Sequence, residues 1–458
     1  MDSTSAPLYN ALRAHIRLRR APFHTPGHKG RLGRINSRLD LTELPDTDSL
    51  YHADGAIRAA EERAARLFGA KRTAFSAGGC SLAVQTMLCA AVKESNNNNV
   101  LFVREGLHRS AVDAMTLLDI RPRFVYRDED RDDDYHSNLP GRIESEIINA
   151  QKDDIKFSAV YLTSPNYYGQ LADVAGIAAV CERYDTPLLV DNAHGSHLIA
   201  FEMNGIALHP LAQGAAMTAC SAHKTMAALT GGAFLNCGDE RFAGRLKRDM
   251  AVFGSTSPSY LIMASLDLAV SDMLSGGMLS GEIMAYRQLA RKAEGLRMLA
   301  KSKGMETPAG LCDPCRLTLF TRPVGMTGTQ AGEYLRDNKI EPEYADESAA
   351  VLILTPRNSP GDLRRLERAI TRMPVTPPLP PADNHINKIR PKTSMSPRAA
   401  AFSSTRRLPT SESAGKIAAE AVCPCPPGRP VVIPGEVIGE PAKELLIRYG
   451  ICEIDVVE

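Results

Sequence analysis

Little in this sequence draws it to a polyanion, a membrane or a disulfide scaffold. Lys and Arg number 54 against 53 Asp and Glu, a formal net charge of +1, so no whole-chain field favours nucleic acid or anionic lipid. No apolar run approaches the ~18 residues that a membrane helix requires. Cysteines are thin on the ground, 10 in 458 residues, and no secretory apolar stretch opens the chain; both features suit a reducing compartment and predict a cytoplasmic protein. The Arg-rich stretch Ala11 to Arg20 has the apolar spacing of a short amphipathic helix running into Pro22, not the composition of a transit peptide. No internal repeat is present. What remains is ordinary globular usage, 44% hydrophobic and 23% charged, at a length that allows two or three domains.

From about Thr73 to Asn236, short β-rich runs alternate with helical ones, which predicts an open, mostly parallel α/β sheet. The expected strands are Thr73 to Ser76, Val100 to Arg104, Arg123 to Tyr126, Ala159 to Thr163, Pro187 to Asp191, Met217 to Cys220 and Ala233 to Asn236. Several are continuous apolar runs, as strands buried on both faces should be. Helices are expected over Ser81 to Val92, Ser110 to Leu118 and Val174 to Tyr184, with the acidic run Asp128 to Asp134 as a solvated loop. After Ser255 the pattern turns helical to about Lys303, and a smaller α+β stretch follows. The proline-rich segment Pro374 to Asp383 reads as extended linker. The tail predicts a helix over Ser413 to Val422 and an apolar run at Val431 to Ile433.

Four features fall where such a sheet places a ligand, beyond the carboxyl ends of its strands. Ser76-Ala-Gly-Gly79-Cys80-Ser81 is a Gly-rich loop leading into a helix, an anion site through its backbone N–H groups. Asp191 ends an apolar strand in Val190-Asp191-Asn192-Ala193-His194-Gly195; a cofactor ligand and an N-cap or salt-bridge acid are both compatible with that position. Lys224 follows another strand in Cys220-Ser221-Ala-His223-Lys224-Thr225, where it is either an imine-forming amine or a surface lysine. His108 opens the next helix in Arg104-Glu105-Gly-Leu-His108-Arg109. Anion loop, strand-end carboxylate and strand-following lysine together suit pyridoxal phosphate, which needs phosphate donors, a carboxylate at the pyridine nitrogen and an amine at the aldehyde.

These motifs resemble those of the Orn/Lys/Arg decarboxylases, fold-type-I pyridoxal-phosphate enzymes, over nearly the whole chain. Phe23-His-Thr-Pro-Gly-His28-Lys29-Gly30 is similar to that family's TPGHK signature, and Asp48-Ser-Leu and Glu61 to Ala70 continue the pattern. Leu162-Thr-Ser-Pro165-Asn-Tyr-Tyr168-Gly169, Ser221-Ala-His-Lys224, Pro426-Pro-Gly428-Arg-Pro430 and Ile433-Pro-Gly-Glu436 resemble further family motifs, in the same order.

The resemblance implies an aspartate aminotransferase-like large domain with a mostly parallel seven-stranded sheet and a smaller α+β C-terminal domain. It implies decarboxylation of arginine, lysine or ornithine, with Lys224 holding pyridoxal 5'-phosphate as an internal aldimine and Asp191 at the pyridine nitrogen. His108 and Ala193 would flank the ring. Gly79, Cys80, Ser81, His194, Ser221 and His223 would line the cofactor site, with Ser255 or Thr256 supplied by a second subunit, hence at least a homodimer. Glu436 would meet the substrate's distal cation. The expected segments are 1–40, a cofactor-binding domain at 41–270, a small domain at 271–375, a linker at 376–395 and a C-terminal segment at 396–458.

Departures from the family pattern are Asn192 in place of Glu, Cys80 in place of a hydroxyl residue, Cys425 in place of an aromatic and Arg429 in place of an apolar residue. Cys312-Asp-Pro-Cys315 and Cys423-Pro-Cys425 lack a matched zinc-ligand spacing, so no metal is expected. The competing functional readings are an aminotransferase or carbon–sulfur lyase built on the same Lys224 and Asp191, or a catalytically idle regulatory homologue.

Overall fold

A computed structural model describes residues 6–17, 38–126, 138–203, 205–275, 281–381, 389–423 and 429–458. The TPGHK segment, the acidic run and Cys425 through Gly428 lie outside the described residues. Among the described residues no helix is long and apolar enough to cross a membrane.

Seven strands make the main sheet: β1 (Arg72–Ser76), β2 (Asn99–Val103), β3 (Arg121–Val125), β4 (Ala159–Thr163), β5 (Leu188–Asp191), β6 (Met217–Cys220) and β7 (Ala233–Cys237). Their order is β1-β7-β6-β5-β4-β2-β3. Pairings β2/β3, β2/β4 and β5/β6 are parallel, and β7 runs antiparallel to both β1 and β6. Every residue of β4, β5, β6 and β7 is buried, which is why those runs carry no alternation. Each expected strand of this sheet is found, displaced by at most two residues at either end.

The chain separates into two compact units. The first comprises Met1–Glu94, Leu188–Leu289 and Thr355–Arg357. It holds α1 (Pro7–Arg17), α2 (Ala56–Phe68), most of α3 (Gly79–Ser95) and α7 (Tyr260–Leu274). Helix α3 is apolar on nearly every face and is buried from Leu82 to Val92 apart from Gln85, as a helix without a polar side must be. Helix α2 starts where Asp48 Oδ2 accepts the N–H groups of Gly55 and Ile57, both at 2.9 Å, and stops at Gly69 with φ 63°. The Asp48-Ser-Leu motif is therefore a tertiary helix cap. Glu61, in the next motif, is buried on Lys247, whose Nζ also donates to the Leu50 carbonyl at 2.6 Å.

The second unit comprises Ser95–Pro187, Ala290–Leu354 and Asn358–Glu458. Along with β2, β3 and β4 it carries α4 (Arg109–Leu117), α5 (Leu139–Lys152) and α6 (Val174–Arg183). Part of α8 (Gly281–Ser302) leads to a three-stranded sheet of β8 (Arg316–Phe320), β9 (Tyr344–Ala345) and β10 (Ala349–Ile353). Both units are discontinuous in sequence. The C-terminal part pairs β11 (Thr405–Pro409) with β12 (Glu453–Val457) around a small core including Leu408, Val432, Leu446 and Ile454.

Two local expectations change. Residues 413–422 form no helix: Gly415 has φ 76°, and Ile417, Ala418 and Val422 bridge Val437, Val456 and Val432 instead, so tertiary pairing overrides local propensity. The proline-rich segment is extended but docked, with Thr376 N–H on the Val324 carbonyl at 3.0 Å, Leu379 N–H on the Arg322 carbonyl at 2.9 Å and the Arg322 Nε–H on the Pro380 carbonyl at 2.5 Å.

Candidate active site

Within the first unit, three strand ends converge. β1 leads into the Gly-rich loop, where the Ser76 hydroxyl donates to the Gly79 carbonyl at 2.8 Å and accepts from Gly78 N–H at 3.2 Å. Gly79 has φ 71°, and its N–H is held by the Gly231 carbonyl at 2.8 Å. The loop thus fixes the first turn of α3, whose leading N–H groups have no partner within the helix. Ser81 in that turn is exposed.

β5 ends at Asp191, 3% exposed, with Oδ1 accepting Ala193 N–H at 3.1 Å and the Cys80 Sγ 4.0 Å away. Burial raises the Cys80 thiol well above its ordinary range, and the charge of Asp191 raises it further; Cys80 is a neutral thiol and puts no negative charge beside an anion. Ser221 and Lys224 also act on that thiol, which draws the loops after β1, β5 and β6 into one place.

After β6, Ser221 begins a single helical turn, Ala222–Thr225. Lys224, half-buried, sets its Nζ 3.1 Å from His194 Nε2, and His194 is 5% exposed. The His223 Nδ1 lies 3.1 Å from the Gly232 carbonyl; a carbonyl only accepts, so Nδ1 carries the proton and Nε2 meets an anion only when the ring is protonated. Ser255 and Thr256 are exposed in the turn before α7.

Beneath these residues lies a polar network that motif reading missed. Asn192 Nδ2 donates to Cys220 Sγ at 3.3 Å, and Asn236 Nδ2 to the same sulfur at 3.5 Å and to the Thr218 hydroxyl at 3.3 Å. His209 Nε2 is 3.5 Å from that sulfur, and its Nδ1 accepts Leu211 N–H at 3.4 Å. Burial pushes His209 down to about 3, so the ring is neutral, with its proton on Nε2. These residues come from four separate segments, and no local spacing announces them.

An amine, a buried carboxylate and an open helix start thus share one unit. That donor set fits pyridoxal phosphate: amide and hydroxyl groups for the phosphate, a carboxylate for the pyridinium, an amine for the aldehyde. Two expected site residues belong instead to the second unit. His108 is the N-cap of α4, its Nδ1 accepting Ser110 N–H at 3.2 Å. Glu436 is 1% exposed, with Oε2 on Arg104 Nη2 at 3.1 Å and on Ile433 N–H at 2.9 Å. Glu436 therefore has a cation of its own chain.

Cys312 and Cys315 are free thiols; burial pushes Cys312 up to about 11 and raises Cys315 well above its ordinary range.

Residues 6–306 match the family model of the Orn/Lys/Arg decarboxylase major domain, and residues 382–450 match that of its C-terminal domain. The arginine decarboxylase of Bacillus subtilis (strain 168) is 28% identical, over 96% of this chain and 92% of its own length. The arginine decarboxylase of Halalkalibacterium halodurans is 29% identical, over 95% of this chain and 91% of its own length. Among solved structures, the Francisella novicida lysine decarboxylase LdcF superposes with a TM-score of 0.78 at 17% identity, covering 99% of this chain and 81% of its own, a likeness of fold. The chain belongs to the Orn/Lys/Arg decarboxylase family, a family of pyridoxal-phosphate-dependent carboxy-lyases.

Proposed function

We propose that this protein releases CO2 from a basic amino acid, with arginine the first substrate to test because the relatives above carry that name. The observation that carries the reading is the pairing of Lys224 Nζ with His194 Nε2 at 3.1 Å, beside the buried Asp191 carboxylate. Bound pyridoxal phosphate would supply an electron sink for the pair left at Cα when the carboxylate departs.

The chain's own residues do the rest. Lys224 presents an amine with an imidazole, not a carboxylate, at hydrogen-bond distance, so its proton has somewhere to go without an ion pair to hold it. Asp191 places a fixed negative charge at low exposure, where it favours a cation on the partner ring nitrogen. The first turn of α3, with Ser81 and Ser221, offers neutral donors to the phosphate. Ser255 and Thr256, exposed before α7, are the groups assigned to a second copy's site. His108 is assigned to one face of the cofactor ring and Ala193 to the other.

The deciding experiment offers arginine, lysine and ornithine separately to protein reconstituted with pyridoxal phosphate, and measures CO2 together with the amine formed. CO2 with agmatine, cadaverine or putrescine supports the proposal and names the substrate. Cofactor absorbance without CO2 from any of the three rejects decarboxylation of these substrates and leaves the aminotransferase or lyase reading.

A further inference from the structure

The motif Ile433-Pro434-Gly435-Glu436 closes on itself and on one distant residue. Glu436 N–H meets the Ile433 carbonyl at 3.1 Å, and Ile433 N–H meets Glu436 Oε2 at 2.9 Å. Gly435 has φ 87°, and a Cβ there would stand 2.2 Å from the Met395 carbonyl oxygen, so the turn admits only glycine. The turn therefore delivers one carboxylate, on a rigid mount, to Arg104, 332 positions away in sequence.

The guanidinium of Arg104 is cradled on several sides. Its Nη2 donates to Glu436 Oε2 at 3.1 Å and to the Val431 carbonyl at 3.3 Å, and its Cζ lies 5.0 Å from the centre of the Phe124 ring. Carboxylate, carbonyl and aromatic face together make a guanidinium site, and the chain's own arginine fills it. Arg104 is 7% exposed and Glu436 1%. The contact is single, and among the described residues Arg104 Nη1 and Glu436 Oε1 are buried without hydrogen-bond partners. A substrate cation at this carboxylate would meet one already paired with a resident cation.

Arg104 also begins the turn that carries His108. Its N–H is held by the Val125 carbonyl at 3.0 Å, and its carbonyl accepts Leu107 N–H at 3.3 Å. Gly106, φ 75°, has its carbonyl on the Thr163 hydroxyl at 2.8 Å, and His108 follows as the N-cap of α4. Fixing the Arg104 side chain fixes the first residue of that turn.

We propose that Arg104 is the resident cation of Glu436, and that the pair is a positioning clamp for the turn leading to His108, not a subsite for the substrate's side-chain cation. The catalytic readout rests on the decarboxylase reading; a hydrogen-exchange readout does not.

The test compares holoenzyme of wild type, R104M, E436Q and the double variant, using whichever basic amino acid the wild type decarboxylates. Each single variant is expected to lower kcat about tenfold with KM within about twofold, because the reacting geometry moves while substrate binding stays. The double variant is expected to be no worse than either single one, because the two residues act as a unit. Amide exchange over residues 105–110 should quicken in all three variants. R104K, which keeps a donor for Oε2, should stay within about threefold of wild type in kcat and covers the case in which the apolar variant does not fold.

A KM raised tenfold or more by E436Q and kept in the double variant overturns the proposal and returns Glu436 to the substrate. Multiplicative losses of about a hundredfold in the double variant, or unchanged exchange at residues 105–110, overturn it as well. Absence of CO2 from the wild type removes the decarboxylase reading, while the exchange measurement still decides the clamp.

Discussion

Two lysines of the first unit, Lys247 and Lys224, keep opposite company. Lys247 is 6% exposed and fully answered: a carboxylate from Glu61 and a backbone carbonyl from Leu50 take its protons, while Phe75 N–H occupies the same Glu61 oxygen at 2.8 Å. Lys224 is half-buried, and the partner at its Nζ is an imidazole. A carboxylate holds an ammonium in its charged form; an imidazole can take a proton from an amine or return one. Both lysines lie in family-like stretches or pair with them, yet the surroundings give one to stability and the other to chemistry.

The sharpest way to break that contrast is to remove each cation's function in turn. Lys224→Ala should abolish turnover and the cofactor's long-wavelength absorbance while thermal unfolding moves little, since no buried charge is left unmatched. CO2 release by this variant at more than a trace of the wild-type rate would end the assignment of Lys224. Glu61→Gln should do the reverse. It leaves Lys247 buried without its counter-charge, which costs about 3–5 kcal/mol of stability, read as a lower denaturant midpoint, with kcat near wild type in whatever protein remains folded. Burial pushes the Glu61 carboxyl up and the Lys247 amine down, and each partner's charge opposes that; the pair survives because each ion is present.

How much of this is legible in the sequence follows from where the determining contacts lie. The seven strands could be read because burial on both faces writes itself as a local apolar run, and β4 and β6 were bounded to the residue. Lys224, Asp191 and the Gly-rich loop could be read because sheet topology places strand ends together whatever the sequence between them. The helix expected at 413–422 failed because its residues pair with Val432, Val437 and Val456, partners that no window of ten residues contains. Glu436 was legible as a motif and its partner was not, since Arg104 lies 332 positions away. The sulfur-centred network of Asn192, His209, Cys220 and Asn236 has the same character.

That network offers an intermediate effect, on pH dependence. His209 is held neutral with its folded-state value near 3, against an ordinary 6.5. The folded state resists a proton that the unfolded chain accepts, so the stability it contributes is whole above pH 6.5 and is lost as pH falls toward 3. The limiting slope is about 1.4 kcal/mol per pH unit for one proton. His209→Gln keeps an amide near the sulfur and removes the titration. Its stability measured by denaturant should fall less steeply than that of wild type between pH 6.5 and 4, and parallel curves would place the acid sensitivity elsewhere. Asp267 works against His209 over part of this range: burial raises it from 3.8 to about 6, so its protonation in the folded state adds stability as pH falls from 6 to 3.8. The wild-type limb sums these and the other shifted carboxyls, and the difference between wild type and variant isolates the His209 contribution.

The smallest expected effect tests the open side of the comparison. Cys80 stands at the start of α3 where a hydroxyl is usual in the family pattern, and a neutral thiol is a weak donor. Its Sγ is 4.0 Å from Asp191 Oδ1, so the sulfur lies between the carboxylate and the helix start. If Cys80 serves the phosphate, Cys80→Ser should tighten pyridoxal-phosphate binding by up to about fivefold, the value of one improved neutral hydrogen bond near 1 kcal/mol. Titration of apoenzyme with the cofactor measures this directly. If the thiol serves Asp191 instead, the affinity stays and the pH dependence of cofactor absorbance shifts, because a hydroxyl donating to that carboxylate lowers its basicity toward the ring nitrogen. Either result bears only on the group beside Lys224, since Lys247 and its partners are already satisfied.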